Sequence, residues 1–406
     1  MRKNILFLVI AFALILPASI LQAFELGDVQ IHGFYSQGYL KTDDNNYLAE
    51  TEDGSLQFDE FAINFSAQLT DDLRAGLQLN GRDLGPVGNN DVRLDWAYMD
   101  YRWQDWLGVR IGKLRTIYGI HSESREIDML RTVIMVPQSI YSELWRDSFS
   151  TIRGVSMYGM TPKIDYLGSF RYDLGVGVHD LDKETGFANV FEDALKNTQI
   201  YMDVDTMDHE YTNRAGLTWY TPLEGLRLQY TYYDIKGLKL EGDADIPAYG
   251  VSSRILYEVH EMDGSCFSLE YVLGNFTLTG EYQVNDFEGK MDLGLGMGFM
   301  DRDPVDGKGW YIMGDYRFNR YFTLAVTYSD YYPNRHDKDG DTLTNDFEAW
   351  LKTWTLSTRI DINQHWILKL EASYNDGFGA FDSMGNDPAE LERYWMLYAA
   401  KVTCSF

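Results

Sequence analysis

The sequence predicts an all-β fold, an antiparallel transmembrane β-barrel of 16 strands with short turns at one rim and long loops at the other. Three observations predict it. Apolar and polar side chains take turns along successive segments of about nine residues, the length a tilted strand needs to cross a bilayer. The links between these segments alternate between short and long. An apolar leader opens the chain, and no apolar run of about 18 residues follows it, so no helix spans a membrane.

The leader, residues 1–23, has basic Arg2 and Lys3, an apolar stretch from Ile5 to Leu16 and small Ala23 at its end. That is the pattern of a secretory signal peptide, and it leaves 24–406 as the barrel. Along the barrel, Phe61, Ile63, Phe65, Ala67 and Leu69 alternate with Ala62, Asn64, Ser66 and Gln68. The same period returns at Leu73–Asn80, Phe170–Val178, Phe322–Tyr328 and Trp366–Tyr374. A helical period fits none of them.

Short turns are expected near Thr70–Asp72, Gln104-Asp105, Thr161–Asp165, Thr221–Leu223, Gly274-Asn275, Asn319-Arg320 and Asp361–Gln364. Long loops are expected near Lys41–Gly54, Asp83–Asn90, Leu114–Ser150, His179–Glu210, Asp234–Gly264, Asn285–Lys308, Tyr332–Phe347 and Asn375–Arg393. Seven short and eight long links join 16 strands, with both termini on the short-turn side. Weaker alternation at Asp91–Trp103, Trp106–Lys113 and Ser265–Leu273 leaves 14 or 18 strands as alternatives. Aromatics gather beside the short turns at Trp103, Trp106, Trp219, Tyr220, Phe318, Tyr321, Phe322 and Trp366, as in the interfacial girdle of a barrel.

Composition narrows the function. The 406 residues carry a net charge of −27, which argues against a nucleic-acid partner because phosphate repels such a surface. Two cysteines exclude a disulfide framework; Cys266 and Cys404 are expected at opposite ends of the barrel, as small lipid-side or rim residues. By parity the inner wall carries Arg74, Arg82, Arg110, Arg153, Arg171, Arg214, Arg227, Arg317, Arg359, Lys369 and Lys401, with fewer acids, among them Asp173, Glu270, Glu281, Asp315 and Glu371. The wall leans basic while the loops hold the excess acid. That contrast predicts a mild anion preference beneath a cation-attracting mouth. The competing reading pairs these charges across strands with no net selectivity.

The third long loop, 114–150, holds Arg115, Arg125, Arg131, Glu123 and Asp128 together with the apolar run Val133–Pro137. An exposed loop has no need of so many apolar residues, so it is expected to fold into the lumen as a constriction. Asp337, Asp339, Asp341 and Glu348 follow the carboxylate spacing of a calcium loop. Thr342 stands where that loop wants glycine, which favours a solvated acidic tip over a structural Ca²⁺ site. No other cofactor is expected. Asp387-Pro388-Ala389-Glu390 reads as a helix start, and Phe187–Asn197 as a second short helix.

At the end of the chain, Tyr398, Ala400, Val402, Cys404 and Phe406 share one face, and the last residue is aromatic. This resembles the C-terminal strand of outer-membrane β-barrels. With Ile31-His32-Gly33-Phe34-Tyr35, Val109-Arg110-Ile111-Gly112-Lys113 and Trp366-Ile367-Leu368-Lys369-Leu370-Glu371, the chain is similar to the porins of Gram-negative bacteria, and more narrowly to the phosphate-selective-porin-like group. The resemblance implies an outer-membrane location among lipid and lipopolysaccharide, a homotrimer and an inward third loop. It also implies passive transport of small hydrophilic solutes or ions, and no catalysis. A non-conducting adhesin or structural barrel, and a hydrolase active at the rim, are the alternatives.

Overall fold

The computed structural model describes residues 29–122, 124–183, 185–196, 199–302, 306–379 and 384–406. The leader lies outside the described residues. The strands are β1 (Val29–Thr42), β2 (Phe58–Gln68), β3 (Leu73–Leu84), β4 (Arg93–Gln104), β5 (Leu107–Arg115), β6 (Thr151–Met160) and β7 (Ser169–Val178). Then come β8 (Tyr201–Asp208), β9 (Tyr211–Tyr220), β10 (Leu226–Lys236), β11 (Leu238–Ile246), β12 (Val251–Leu273) and β13 (Phe276–Asp292). The last are β14 (Phe299–Asp301), β15 (Gly307–Arg317), β16 (Phe322–Tyr332), β17 (Leu351–Asp361), β18 (Trp366–Asp376) and β19 (Tyr394–Ser405).

Sixteen of these strands pair in a closed antiparallel ring, in chain order with β8, β11 and β14 left out; β1 pairs with β19 from Phe34↔Ser405 to Thr42↔Leu397 and shuts it. Closure leaves no unpaired edge in the lipid, where an unsatisfied peptide group is costly. At the seam Gly33 leaves room for the last aromatic: a Cβ there would stand 2.5 Å from the Phe406 ring. The expected seven short turns and eight long links all fall where the alternation placed them.

Alternation also sets the faces. Leu77, Met99, Met157, Leu174, Leu217, Leu269, Ile312, Val326, Leu356 and Leu370 point outward and stay exposed, as a lipid-facing band must. Trp103 packs edge-on to Trp106 at the short-turn rim. A second belt, not foreseen from the sequence, lies toward the long loops: Tyr328 packs on both Trp310 and Trp354, and Tyr374 stacks on Tyr394. Amphipathic rings prefer both interfaces of a bilayer.

Three long links are not loops. β10 runs through Gly237 into β11, and β12, 23 residues long, pairs with both. At about 3.3 Å per residue β12 extends roughly 75 Å, well beyond a hydrocarbon core of about 30 Å even when tilted. β8, β11, the upper parts of β12 and β13, and β14 form a cap sheet above the barrel. Helix α1 (Arg146–Phe149) and helix α2 (Gly186–Lys196) lie beneath this cap. Phe187, Leu195, Met202, Val204, Leu240, Ile255 and Tyr257 make its core. The inward face is polar in the barrel and apolar in the cap. Gly237, at φ +66°, changes the side-chain phase between β10 and β11, and a register shift between Val259 and Glu261 does so in β12. The second expected helix is therefore present. Pro388–Glu390 is only a turn, with the Asp387 carboxylate accepting from Ala389 N–H at 2.9 Å.

Candidate pore constriction

The third loop, 116–150, runs inside the barrel and is tied to the far wall by four sets of contacts. Asp128 is the deepest. Its carboxylate lies 3.0 Å from Lys369 Nζ, 3.5 Å from Lys401 Nζ and 3.4 Å from Arg131, and accepts from Thr403 Oγ1 at 2.7 Å. The Glu371 carboxylate accepts from the Ile134 and Met135 N–H groups at 2.8 and 3.1 Å. Glu281 accepts from Ile120 N–H and from the hydroxyls of Tyr141, Tyr311 and Ser268. Near the loop's return, Glu143 meets Arg82, Arg125 and Arg146, and Arg146 also reaches Glu60.

Apolar contacts follow the same path. Val133, Val136, Ile140 and Tyr141 pack on Cys266, Tyr311, Met313 and Ala325, and Ile134 packs near Leu397 and Ala399. The inner wall is apolar there because a loop, not water, covers it. Cys266 is accordingly buried on the inside, a correction to the expected lipid-side or rim position; it and Cys404 are both free.

Of the cations assigned to the inner wall, Arg153 needs a correction. Arg153 pairs in register with outward Val178, is largely exposed, and meets Asp180 at 2.6 Å on the outer surface at the long-loop rim. It shares parity with Val155 and Met157, which the alternation assigns to lipid. Of the others, Arg82, Lys369 and Lys401 hold the loop, and Arg359 donates to the Met129 and Arg131 carbonyls. Arg110 pairs with Asp100 at 3.1 Å, Arg214 with Asp173 at 3.2 Å and Arg227 with Glu270 at 2.9 Å. Arg74 and Arg171 face the short-turn vestibule, and Arg317 sits exposed at that rim, donating to the Asn319 carbonyl. In the loop, Arg115 meets Glu126 at 2.8 Å, Arg125 donates to the Tyr141 and Ser142 carbonyls, and Arg131 donates to backbone carbonyls. These loop residues anchor it. Glu123 lies outside the described residues.

The loop leaves small spaces on both sides. Against β16–β19 about 50 Å³ remains, with no cation on its lining. Toward β7–β10 there is a neck of about 40 Å³, room for roughly three waters. Ile117, Gly119, Ile120 and Ser122 of the loop face Arg171, Asp173, Thr218, Arg227 and Gln229 of the wall across it. Ser122 also borders a space of about 160 Å³ above, and Arg171 a vestibule of about 520 Å³ below. A further cavity of about 440 Å³ adjoins the upper space along Trp145, Tyr233, Met262, Asn285 and Tyr331. Ile117, Ile120, Thr218 and Gln229 carry no signal in the sequence, since only the path of the loop selects them.

Charge within the loop is held by its partners. Burial alone would raise the Glu126 carboxyl, but Arg115 and Arg146 outweigh it and pull it down to about 2. Burial likewise opposes ionisation of Glu143 and Asp128. The arginines around Glu143, and Lys401 and Lys369 beside Asp128, hold both well below the usual carboxylate range.

Asp337, Asp339, Asp341 and Glu348, weighed as a calcium loop, are not brought together. Among the described residues no group of three or more metal-ligating side chains converges. The Asp337 carboxylate accepts from Asp341 N–H at 2.9 Å and Thr342 N–H at 3.1 Å, and Glu348 accepts from Asn345 Nδ2 at 2.7 Å. These carboxylates close their own turns, and the Asp339 and Asp341 side chains do not join them in a cluster.

No family model and no curated protein matches the sequence. Solved structures share its architecture at low identity. A loop L8 deletion mutant of OmpT, an outer membrane protein of Vibrio cholerae, superposes with a TM-score of 0.55 at 12% identity, covering 93% of this chain and 99% of that one. An anion-selective porin from Comamonas acidovorans gives 0.55 at 11%, covering 93% and 99%. The outer membrane channel DcaP of Acinetobacter baumannii gives 0.52 at 9%, covering 93% and 97%. A closed, 16-stranded sheet with an apolar outer band and this likeness make the fold that of a porin-like β-barrel of the Gram-negative outer membrane.

Proposed function

We propose that the chain is a passive outer-membrane diffusion channel for small hydrophilic solutes, with a mild preference for anions. One observation carries this reading: a series of spaces that share lining residues leads from beneath the cap to the short-turn vestibule, and the smallest has Arg171 and Arg227 on its wall. A neck walled by low-dielectric protein focuses the field of its lining charges, and two guanidinium groups outnumber the one carboxylate, Asp173. Because Asp173 and Glu270 offset much of that charge, the preference is modest. The wall cations thus act as pore-lining groups where they border the neck, and as loop anchors elsewhere. No step in diffusion calls for a catalytic residue.

The likeness to phosphate-selective porins makes phosphate the first anion to try. A homotrimer embedded in lipid and lipopolysaccharide belongs to the same reading, and OmpT of Vibrio cholerae occurs in a trimer form. The test is reversal-potential measurement in planar bilayers across a KCl gradient, repeated with potassium phosphate. A positive result is open-channel conductance with an anion-leaning potential that moves toward zero in Arg171→Gln/Arg227→Gln. Absence of conductance, or clear cation selectivity in the unmodified chain, would overturn the proposal.

A further inference from the structure

We infer that the space beneath the cap binds ring compounds of one or two rings bearing an acceptor group such as a carboxylate, and so selects which solutes enter. This rests on the channel reading and names the solute class it favours.

The two adjoining upper spaces, about 440 and 160 Å³, together fall in the range of small-molecule pockets, which are mostly apolar with a few convergent polar groups. Their lining departs from that of a water-filled mouth. Phe191 packs edge-on to Tyr257 with centroids 4.9 Å apart, and Tyr257 lies nearly parallel to Phe287. Tyr233, Phe191 and Phe287 pack against the cap core while remaining only partly buried. Such faces lose water at little cost when a flat ring covers them.

Three polar side chains at the edge are donors with no partner among the described residues, beside the carboxylates Asp286 and Asp301. Among the described residues, the hydroxyls of Tyr331 and Tyr257 have no hydrogen-bond partner, and the Arg302 guanidinium is in no ion pair, although all three border the cavity. Asn285 Oδ1 accepts from Tyr118 at 2.9 Å and Tyr233 at 3.4 Å, which turns its amide N–H groups to the space. Of the two carboxylates there, Asp286 is held by Arg335 at 2.6 Å, and Asp301 stands opposite Lys290 in the β13–β14 register. An apolar floor with donors at its rim suits a ring with an acceptor at one end. A guanidinium next to an aromatic face favours an anionic acceptor, since a carboxylate can meet it bidentately.

The probe is 7-hydroxycoumarin-3-carboxylate, with acetate as the ringless control. Purified full-length protein is studied in planar bilayers in KCl and, separately, by calorimetric titration in detergent. The inference expects resolved current blocks with the coumarin and none with acetate. Their dwell times should shorten at least fivefold in Tyr331→Phe and in Arg302→Gln. Titration should give saturable binding that both variants weaken. Open channels without coumarin blocks or binding would overturn this inference and leave the channel standing. Binding that both variants leave unchanged would overturn the site. Saturable, variant-sensitive binding by a chain that never conducts would support the site and overturn the channel.

Discussion

The Asp128 carboxylate lies 3.0 Å from the Lys369 ammonium, with 1% of either side chain exposed, and joins a loop to a wall that are 241 residues apart in sequence. A buried charge pair of this kind is retained only when every partner is present, because removing one leaves the others uncompensated. Asp128→Asn should therefore destabilise the barrel by about 3–5 kcal/mol. The check is urea unfolding in detergent, with single-channel recordings alongside. The variant is expected to unfold at lower urea and to give noisier current. Asp128→Asn/Lys369→Met should recover part of the loss.

The arginine-paired carboxylates of the loop set an acid limit. Glu126 is held down to about 2 when folded, against an ordinary value of 4.5. A depressed carboxyl contributes stability above its unfolded value and loses it as pH falls through its folded value. Channel conductance and loop protection are thus expected to hold down to about pH 4.5 and to change between there and about pH 2. Conductance recorded across this range tests it. Glu126→Gln should flatten part of the profile.

Ile117 and Ile120 narrow the neck without adding charge. Ile117→Ala/Ile120→Ala should raise single-channel conductance by about a quarter to twofold and leave the reversal potential in place, because neck width and wall charge are set by different residues. Conductance and reversal potential measured on one preparation separate the two effects.

Gly237 is strained for any other residue: its φ is +66°, and a Cβ would stand 2.6 Å from Glu210. Gly237→Val should cost on the order of 1–3 kcal/mol, concentrated at the junction of barrel and cap. Limited trypsin digestion should cut near Lys236 and Lys239 in the variant while the barrel core persists on a gel.

Calcium is expected to leave loop 337–348 unchanged. Protease resistance of that loop should be the same with millimolar Ca²⁺ and with chelator. Asp337→Asn should increase cleavage under both conditions, since it weakens the acceptor of the Asp341 and Thr342 contacts.

The barrel was legible because alternation reports directly on a sheet with lipid on one side. Phe61–Leu69 or Trp366–Tyr374 need no distant information to declare their faces. The cap was not read, although its alternation is as regular: Met202 and Val204 against Asp203 and Asp205, Leu238 and Leu240 against Lys239 and Glu241. Dense charge made these segments look like loops, when it marked strands standing in water with their apolar side turned in. Arg153 illustrates the opposite error, in which a cation was moved to the lumen against its own parity. Val133–Pro137 raise the expectation of an inward loop, but no residue run marks the neck. Ile120 faces Gln229 only because Asp128, Glu281 and Glu371 decide where the loop lies.

The phase change at Gly237 bears on how the molecule is made. The strand ends at Val29 and Ser405 lie with the short turns, so a barrel inserted from the short-turn side carries the tips of its long hairpins across the lipid first. The β11–β12 tip carries Asp243, Asp245 and Arg254 on one side and Ile246 and Ile255 on the other, and α2 cannot cover the latter until the passage is complete. Insertion in that direction is thus ordered: the wall is threaded before its roof can be laid.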